Sequence, residues 1–505
     1  MERNLADIFE IVVDAVPDRE ALVCGDRRLT YAALDERANR LAHHLAGAGV
    51  GPGDHVAAYL YNGTEFIETM LAAFKLRAAA VNINFRYVDD ELRYLFGDAD
   101  LVVLVHGPEF DPPFDGPRLR IGADYEKALA SASPDRDFPT RADDDHYVIY
   151  TGGTTGMPKG VIWRHEDAFF ALFGGGDYAG EPVTSPDELV EKVAVTGPFT
   201  YLITPPLMHG AGQWVTVSAL LEAKKAVLLD GARFDPRHAW DLVEREGVHS
   251  VAIVGDAMGR PLADALAAEP GRWDTSSLLA VGSGGAPLSP AVKDQLQELL
   301  PNSFVIDSFG SSETGYQGRA TEGRRFTVGD TAAVFDDDLR PVPPGSGIVG
   351  RLAKRGHLPI GYYNDPEKTA RTFVEIDGQR WAFAGDLATV EPDGTITLLG
   401  RGSSCINSGG EKIYPEEVED ALKAHPAVYD ALVVGAPDDR WGERVAAVVQ
   451  PRPGHRPTLE ELDAHCRSRL AGYKVPRQLD LVDEIVRQPS GKPDYRWAKS
   501  VAART

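Results

Sequence analysis

The chain has 505 residues, more than the roughly 250–300 that one hydrophobic core supports, so two or more domains are expected. With 43% hydrophobic and 25% charged residues, it has the composition of a globular protein rather than a disordered one. A formal charge of −24 argues against nucleic acid and anionic membranes as partners, because both are polyanions.

The charge is uneven. Residues 401–505 hold 16 basic and 16 acidic side chains, so the whole excess lies on residues 1–400 and a boundary near 400 is expected. Three widely spaced cysteines, Cys24, Cys405 and Cys466, form no CxxC pair and suit a reducing compartment. No apolar signal core appears in the N-terminal "MERNLADIFE". The run "MLAAFKLRAAAV" is broken by Lys75 and Arg77, well short of the about 18 apolar residues a membrane span needs. A soluble cytoplasmic protein without an integral membrane segment is expected.

In chain order, "LTYAALDERANRLAHHLAGAGVGPGD" predicts an amphipathic helix with Leu34, Ala38, Leu41 and Leu45 on one stripe and a glycine-rich stop. "HVAAYL" predicts a strand, "TEFIETMLAAFKLRA" a helix and "LVVLV" another strand. After a glycine-rich loop, "KAVLLD" and "SVAIVG" read as buried strands, and "LLAVGSGGAPLS" as a strand entering a turn. "PAVKDQLQELL" follows as a helix, and "NSFVIDSFGSSETG" as a strand ending in a small-residue loop. Such alternation predicts parallel sheets covered by helices, with ligands at the strand ends. From about 330 the chain turns to short β-like runs, "GSGIVGRLA" and "GTITLLGR". "PEEVEDALKAHPAVYDALVVG" and "ERVAAVVQPRPG" then predict a small α+β unit.

The most unusual stretch is "YTGGTTGMPKG", Tyr150–Gly160, with four glycines, three threonines and one lysine. It lacks the GK[ST] ending of a kinase-type phosphate loop, since Gly156 is followed by Met157 and Pro158, and Lys159 by Gly160. It keeps backbone N–H groups, hydroxyls and a cation suited to phosphate.

This loop heads an ordered series: "FGSSETG" (309–315), "AGDLATVEPDG" (384–394), "GRGSSCINSGGEKIYPEEVE" (400–419) and "PSGKPDYR" (489–496). The set resembles the adenylate-forming superfamily: acyl-CoA synthetases, peptide-synthetase adenylation domains and beetle luciferases. The resemblance runs from about Leu29 to Lys499. The last two stretches look most like bacterial, particularly actinobacterial, synthetases for fatty acids and steroid side-chain acids. It implies an α/β fold in which residues 1–400 form a large AMP-binding domain of parallel and mixed sheets covered by helices, plus a β-rich subdomain. Residues 401–405 would be the hinge and 406–505 a small mobile α+β domain.

The implied chemistry has two halves. A carboxylic acid attacks the α-phosphate of ATP, giving an acyl-adenylate and pyrophosphate, and the thiol of coenzyme A then displaces AMP. The first half needs no general base, because a carboxylate is already an adequate nucleophile, which agrees with the lack of an obvious Ser–His–Asp or Cys–His set. By resemblance, Thr151, Gly152, Gly153, Thr154, Thr155, Gly156 and Lys159 hold phosphate. "SGGAP", with Gly284, Gly285, Ala286 and Pro287, lies beside adenine, and Asp307, Ser308, Phe309, Gly310, Ser311 and Ser312 belong to the nucleotide site, Phe309 stacking on the base and Ser312 bonding the α-phosphate. Phe309 replaces the family's usual tyrosine and Ser312 its commoner threonine. Glu313 and Thr155 would bind Mg2+. Asp386 and Arg401 would take the ribose. Lys492 would bridge the substrate carboxylate and the α-phosphate.

The acyl site would use His209, Gly210, Ala211, Gly212, Gln213 and Trp214, with Gly282 to Gly284 facing them and small side chains leaving room for a bulky acid. Gly409, Gly410 and Glu411 match the loop lining the pantetheine tunnel after domain rotation. The basic cluster Arg467, Arg469, Lys474 and Arg477 is a candidate CoA-docking face, Lys474 foremost. At the hinge, Ser403 and Ser404 stand where the family usually has a charged residue.

An AMP-forming acyl-CoA synthetase is therefore expected, using ATP, Mg2+ and coenzyme A. The alternatives are an enzyme loading a carrier-protein phosphopantetheine and a luciferase-like oxygenase. A purely binding role sits poorly with Lys159, Glu313, Asp386, Arg401 and Lys492 all being present. The sequence leaves open the acid itself and the oligomeric state, a homodimer included.

Overall fold

The computed structural model describes residues 4–152, 157–177, 180–408, 411–438, 440–488 and 491–504. Helices begin and end where local chemistry dictates. Tyr31–Gly47 starts at Thr30, whose hydroxyl accepts the Ala33 N–H at 3.1 Å, and its stripe Leu34, Ala38, Leu41 and Leu45 is fully buried. Thr64–Lys75 carries the charge that interrupts the apolar run. Lys75 is 0% exposed and its ammonium meets Asp35 at 2.7 Å and also Glu10, so the cation is buried with two carboxylates rather than solvated.

Strands His55–Tyr59, Ala79–Asn82, Leu101–His106 and Arg118–Arg120 make one parallel four-stranded sheet. A second sheet has three antiparallel strands: His146–Thr151, Lys159–Arg164 and Gly361–Tyr362. The largest sheet has 15 strands. Its parallel part places Lys225–Leu228, Thr200–Ile203, Ser250–Ile253, Ala280–Ser283 and Phe304–Ser311 side by side. Glu20–Cys24 joins that part in parallel beside Lys225–Leu228, and the rest of the sheet is antiparallel, including Asp386–Val390 paired with Ile396–Arg401. The sheets are thus mixed, with the parallel part among helices as the alternating pattern predicts.

One expected boundary moves. "NSFVIDSFGSSETG" is a strand until Ser311, so Asp307 to Ser311 lie in it and only Ser312 to Thr314 turn. The cause is pairing with Gly315–Glu322, which extends the strand past its parallel neighbour.

The C-terminal unit is a five-stranded sheet, with strands from Ile406–Ser408 to Gln478–Leu481, flanked by helices Pro415–Lys423, Leu459–Arg467 and Tyr495–Ala502. Separate apolar clusters fill its two faces, one around Val433 and Val449 and the other around Leu432 and Ala498. It touches the large unit through Lys423 to Asp256 at 3.3 Å and through Gly491, where an added Cβ would stand 3.1 Å from Val254. Among the described residues no helix is long and apolar enough to cross a membrane.

The Phe304–Ser311 and Gly315–Glu322 hairpin should be sensitive to one methyl group. A Cβ on Gly310 would lie 2.2 Å from the Gly315 carbonyl oxygen, a backbone atom that cannot swing aside. Gly310→Ala should lower stability by about 1–3 kcal/mol and weaken nucleotide binding; thermal melting with and without ATP measures both, and an unchanged melt excludes the clash.

Candidate active site

The glycine loop is anchored on its leading side. Thr151 ends the strand His146–Thr151 and the exposed Gly152 follows. Asn82, buried at 4% exposure, accepts the Tyr150 N–H at 2.8 Å and donates to the carbonyls of Tyr150 at 2.9 Å and Met208 at 2.7 Å. One amide therefore ties the loop's strand to the segment that carries His209. Gly153, Thr154, Thr155 and Gly156 lie outside the described residues. Past them, Lys159 begins the return strand, its ammonium 3.4 Å from Asp365 and 5.7 Å from the ring centre of Tyr94.

Glu313 sits in the turn of the hairpin. Its Oε1 accepts the Tyr362 hydroxyl at 2.7 Å, and the Lys368 ammonium lies 3.9 Å from the centre of the same tyrosine ring. Burial pushes the Glu313 carboxyl up, but Arg401, the Tyr362 hydroxyl and Lys368 outweigh it and hold the pKa below its ordinary value. Trp163, fully buried, donates to the Ser312 carbonyl at 3.0 Å. Tyr362 pairs in register with Val161 on the strand that starts at Lys159. The glycine loop and the Glu313 turn thus share a common support.

Asp386 and Arg401 are cross-strand partners, and Arg401 Nε meets Asp386 Oδ1 at 2.9 Å. Lys492 joins them from the C-terminal unit. Its turn is closed by the Gln488 N–H donating to the Lys492 carbonyl at 2.8 Å, and by Gly491 at φ +77°. The side chain faces water in the cleft yet has dense protein around it. Enclosure, then the charge of Arg401, pulls its pKa below the ordinary lysine value, while Glu313 and Asp386 pull upward. Residues from four distant segments therefore meet in one electrostatic cluster.

On the other side of the cleft, Ser283 and Asp307 are neighbours across parallel strands. The segment Gly284, Gly285, Ala286 and Pro287 comes up to Ser308, with an added Gly284 Cβ 3.8 Å from the Ser308 carbonyl. Phe309 packs edge-on against Phe326 at 4.6 Å between centroids. Asp307 is 7% exposed, and burial pushes its carboxyl up to about 7.

His209 caps the helix Gly210–Leu221. Here the structure differs from the expectation of an open, small-residue pocket. A Cβ on Gly212 would stand 2.7 Å from the Pro206 carbonyl, so this glycine seats the helix on backbone rather than clearing space. Gln213 is buried, accepting the Tyr147 hydroxyl at 2.8 Å and donating to the Leu207 carbonyl at 2.8 Å. Trp214 donates to the Tyr147 hydroxyl at 3.2 Å, and an added Gly210 Cβ would meet its ring at 3.0 Å. The contact across to the Ala280–Ser283 strand end runs from Ala211 to Gly285, at 3.8 Å for an added Cβ, rather than through Gly282 to Gly284.

Of the CoA candidates, Gly409 and Gly410 lie outside the described residues and Glu411 is exposed on the short strand Glu411–Ile413. The basic stretch is not a bare patch. Lys474 meets both oxygens of Glu417 at 2.7 Å, Arg467 meets Asp463 at 2.6 Å, and Arg477 lies 4.9 Å from the Trp441 ring centre. Asn82, Tyr362 and Trp163 went unnoticed in the sequence because each acts through a partner 49 to 149 positions away.

Chemically, a glycine loop ending in a cation, a screened carboxylate and an Asp–Arg pair offer a site for a polyanion bearing hydroxyl groups. The chain belongs to the AMP-binding enzyme family, which matches residues 9–363, and residues 417–492 match the AMP-binding enzyme C-terminal domain. It is 49% identical to a medium/long-chain-fatty-acid–CoA/3-oxocholest-4-en-26-oate–CoA ligase of Mycobacterium marinum, covering 98% of this chain and 96% of that one. It is 46% identical to a 3-oxocholest-4-en-26-oate–CoA ligase of Rhodococcus rhodochrous, covering 99% and 96%. Its fold superposes on an anthranilate CoA ligase in complex with anthranoyl-AMP, with a TM-score of 0.88 at 23% identity, over 100% and 98% of the two chains.

Asp307 gives a pH test. Its folded pKa of about 7 exceeds that of an unfolded aspartate, about 3.9, so folding binds a proton here and the associated stability fades as pH rises between those values. Asp307→Asn, which cannot ionise, should gain in melting temperature relative to the native chain between about pH 4 and 7 and hold that gain above. A difference independent of pH contradicts the raised value.

Proposed function

We propose that the protein is an AMP-forming acyl-CoA synthetase that converts a carboxylic acid and ATP to an acyl-adenylate and pyrophosphate, then transfers the acyl group to coenzyme A. The observation that carries this is the convergence of Glu313, Asp386, Arg401 and Lys492, from two units, on one cleft beside the glycine loop. The names of the relatives support a fatty acid or a steroid side-chain acid as the substrate class.

In this reading Thr151, Gly152 and Lys159, with Gly153 to Gly156, hold the phosphates that leave. Gly284 to Pro287 flank the base with Phe309 against its face, Asp307 to Ser311 line the nucleotide beside them, and Ser312 bonds the α-phosphate. Asp386 accepts from the ribose hydroxyls and Arg401, locked to Asp386, orients that carboxylate. Lys492 approaches as a cation and offsets charge as the acid oxygen attacks the α-phosphorus. His209 and Trp214 border the acyl group, with Trp214 fixed as a wall through Tyr147.

Among the described residues no cluster of three carboxylate, histidine or cysteine side chains could hold a metal, so a cation here would take most of its oxygens from the nucleotide and one carboxylate from Glu313. When bound, Mg2+ would neutralise phosphate charge. The Tyr362 hydroxyl fixes Oε1 of Glu313 and so directs the carboxylate towards it. Residues 1–400 form the catalytic domain and 406–505 the mobile domain, turning at 401–405, where Ser403 and Ser404 flex. Glu411 and Lys474, with Gly409 and Gly410, serve the CoA step. Three free cysteines favour a reducing cytoplasm.

The deciding measurement is pyrophosphate release across fatty, aromatic and steroidal carboxylates, with CoA, carrier protein or oxygen added in turn. Acyl-CoA should appear only with CoA; acyl transfer solely to a carrier, or light emission, overturns the proposal. Lys492→Ala should cut acyl-adenylate formation at least about a hundredfold while acyl-CoA formation from supplied acyl-AMP stays near native, and equal loss of both removes Lys492 from its role. Tyr362→Phe should raise the Mg2+ needed for ATP binding about tenfold in calorimetry, with little change in melting temperature; an unshifted Mg2+ dependence excludes the positioning role.

A further inference from the structure

The seam between the two units holds a cavity of about 1120 Å³ that the mechanism leaves unused. One wall is the helix Gly255–Ala268, and the other comes from the C-terminal unit around Tyr429 and Arg452. Arg260, on that helix, lines the cavity and is 2% exposed. Neither its Nε nor its Nη2 has a hydrogen-bond partner among the described residues. The carboxylates near it are committed elsewhere. Asp256 accepts from the Ser289 N–H at 2.7 Å and faces Lys423 at 3.3 Å; Asp264 accepts from Gln295 at 3.1 Å; Asp430 accepts from Arg487 at 2.6 Å.

Arg260 instead rests on an aromatic face, with its guanidinium carbon 5.4 Å from the Tyr429 ring centre. Arg452, from the other unit, lies 5.8 Å from the same centre, and its nearest carboxylate, Asp264, is 3.8 Å away. Two guanidinium groups lie against one ring, and a buried guanidinium with open donors calls for an acceptor with several oxygens. His455 and Arg456 add further basic groups to the lining, where Asp483 and Glu484 are exposed. Met258, Pro261 and Ile485 give the cavity an apolar stretch.

We propose that this cavity binds a phosphate monoester on a flat, apolar body, its phosphate between Arg260 and Arg452 and its body along Met258, Pro261 and Ile485. Because the walls belong to different units, the ligand binds only while they hold this arrangement, and its binding favours that arrangement over any rotated one. The kinetic consequence rests on the two-step reading above; the binding itself does not.

Phenyl phosphate is the probe. Calorimetry on the full chain should show one site. Arg260→Met and Arg452→Met should each weaken it at least about tenfold, Arg260→Lys should weaken it less, and Lys159→Met, which alters the glycine loop instead, should leave it intact. Wild-type protein that takes up no phenyl phosphate, Arg260→Met binding as tightly as wild type, or loss on Lys159→Met alone each overturns the site. Arg452→Met, at the less buried end, keeps the test open if Arg260→Met fails to fold. Saturating phenyl phosphate should also slow acyl-CoA formation from supplied acyl-AMP at least about tenfold, spare acyl-adenylate formation, and lose this effect in Arg452→Met. Binding without that selective slowing overturns the coupling. Failure of the two-step reading appears separately, as absent acyl-AMP turnover in untreated enzyme.

Discussion

The amide of Asn82 is the constraint on which the site's geometry rests. It stands at the end of the four-stranded sheet and spends its carbonyl on the Tyr150 N–H and its NH2 on the carbonyls of Tyr150 and Met208. A buried amide with its capacity used this way is costly to move, because any shift leaves several polar groups unpaired at once. The strand before the glycine loop and the segment before His209 are therefore held at a fixed separation. Gln213 extends this frame through Tyr147, and Tyr147 in turn fixes Trp214.

The far side of the cleft is held by charge rather than by amides. Arg401 is paired with Asp386 and also depresses the Lys492 pKa, while Glu313 is kept ionised against burial by Arg401, Tyr362 and Lys368. Each charge has a partner, as the low dielectric of a crowded cleft demands. The arrangement needs the C-terminal unit in place. Gly491, pressed against Val254 where a side chain would crowd, is what lets the Lys492 turn approach so closely. The same contact brings Tyr429 and Arg452 against Arg260, so the cavity at the seam is a product of how the catalytic turn docks.

Local signals were strong where one face of an element meets the core. The stripe Leu34, Ala38, Leu41 and Leu45 follows from hydrophobic period and the Thr30 cap, the strand His55–Tyr59 from a short apolar run, and the helix at Pro415 from its period and its proline start. The end of the Phe304–Ser311 strand was not legible, because its last residues are strand only by pairing with Gly315–Glu322. Gly212 misled for a related reason: glycine in sequence signals space, but here the space is filled by the carbonyls of Pro205 and Pro206. The basic run ending at Arg477 looked open because its carboxylate and aromatic partners, Glu417 and Trp441, lie 36 to 57 positions away.

By itself, then, the sequence determined the order of the elements, the charge boundary near residue 400 and the identity of the groups that meet in the cleft, since residue type and short-range period carry that information. It did not determine which of them touch. The Tyr362 clamp on Glu313, the Asn82 bridge and the unfilled donors of Arg260 exist only once strands and units far apart in the chain pack together. Hydrogen bonds and ion pairs depend on distances of about 3 Å, which linear spacing does not encode.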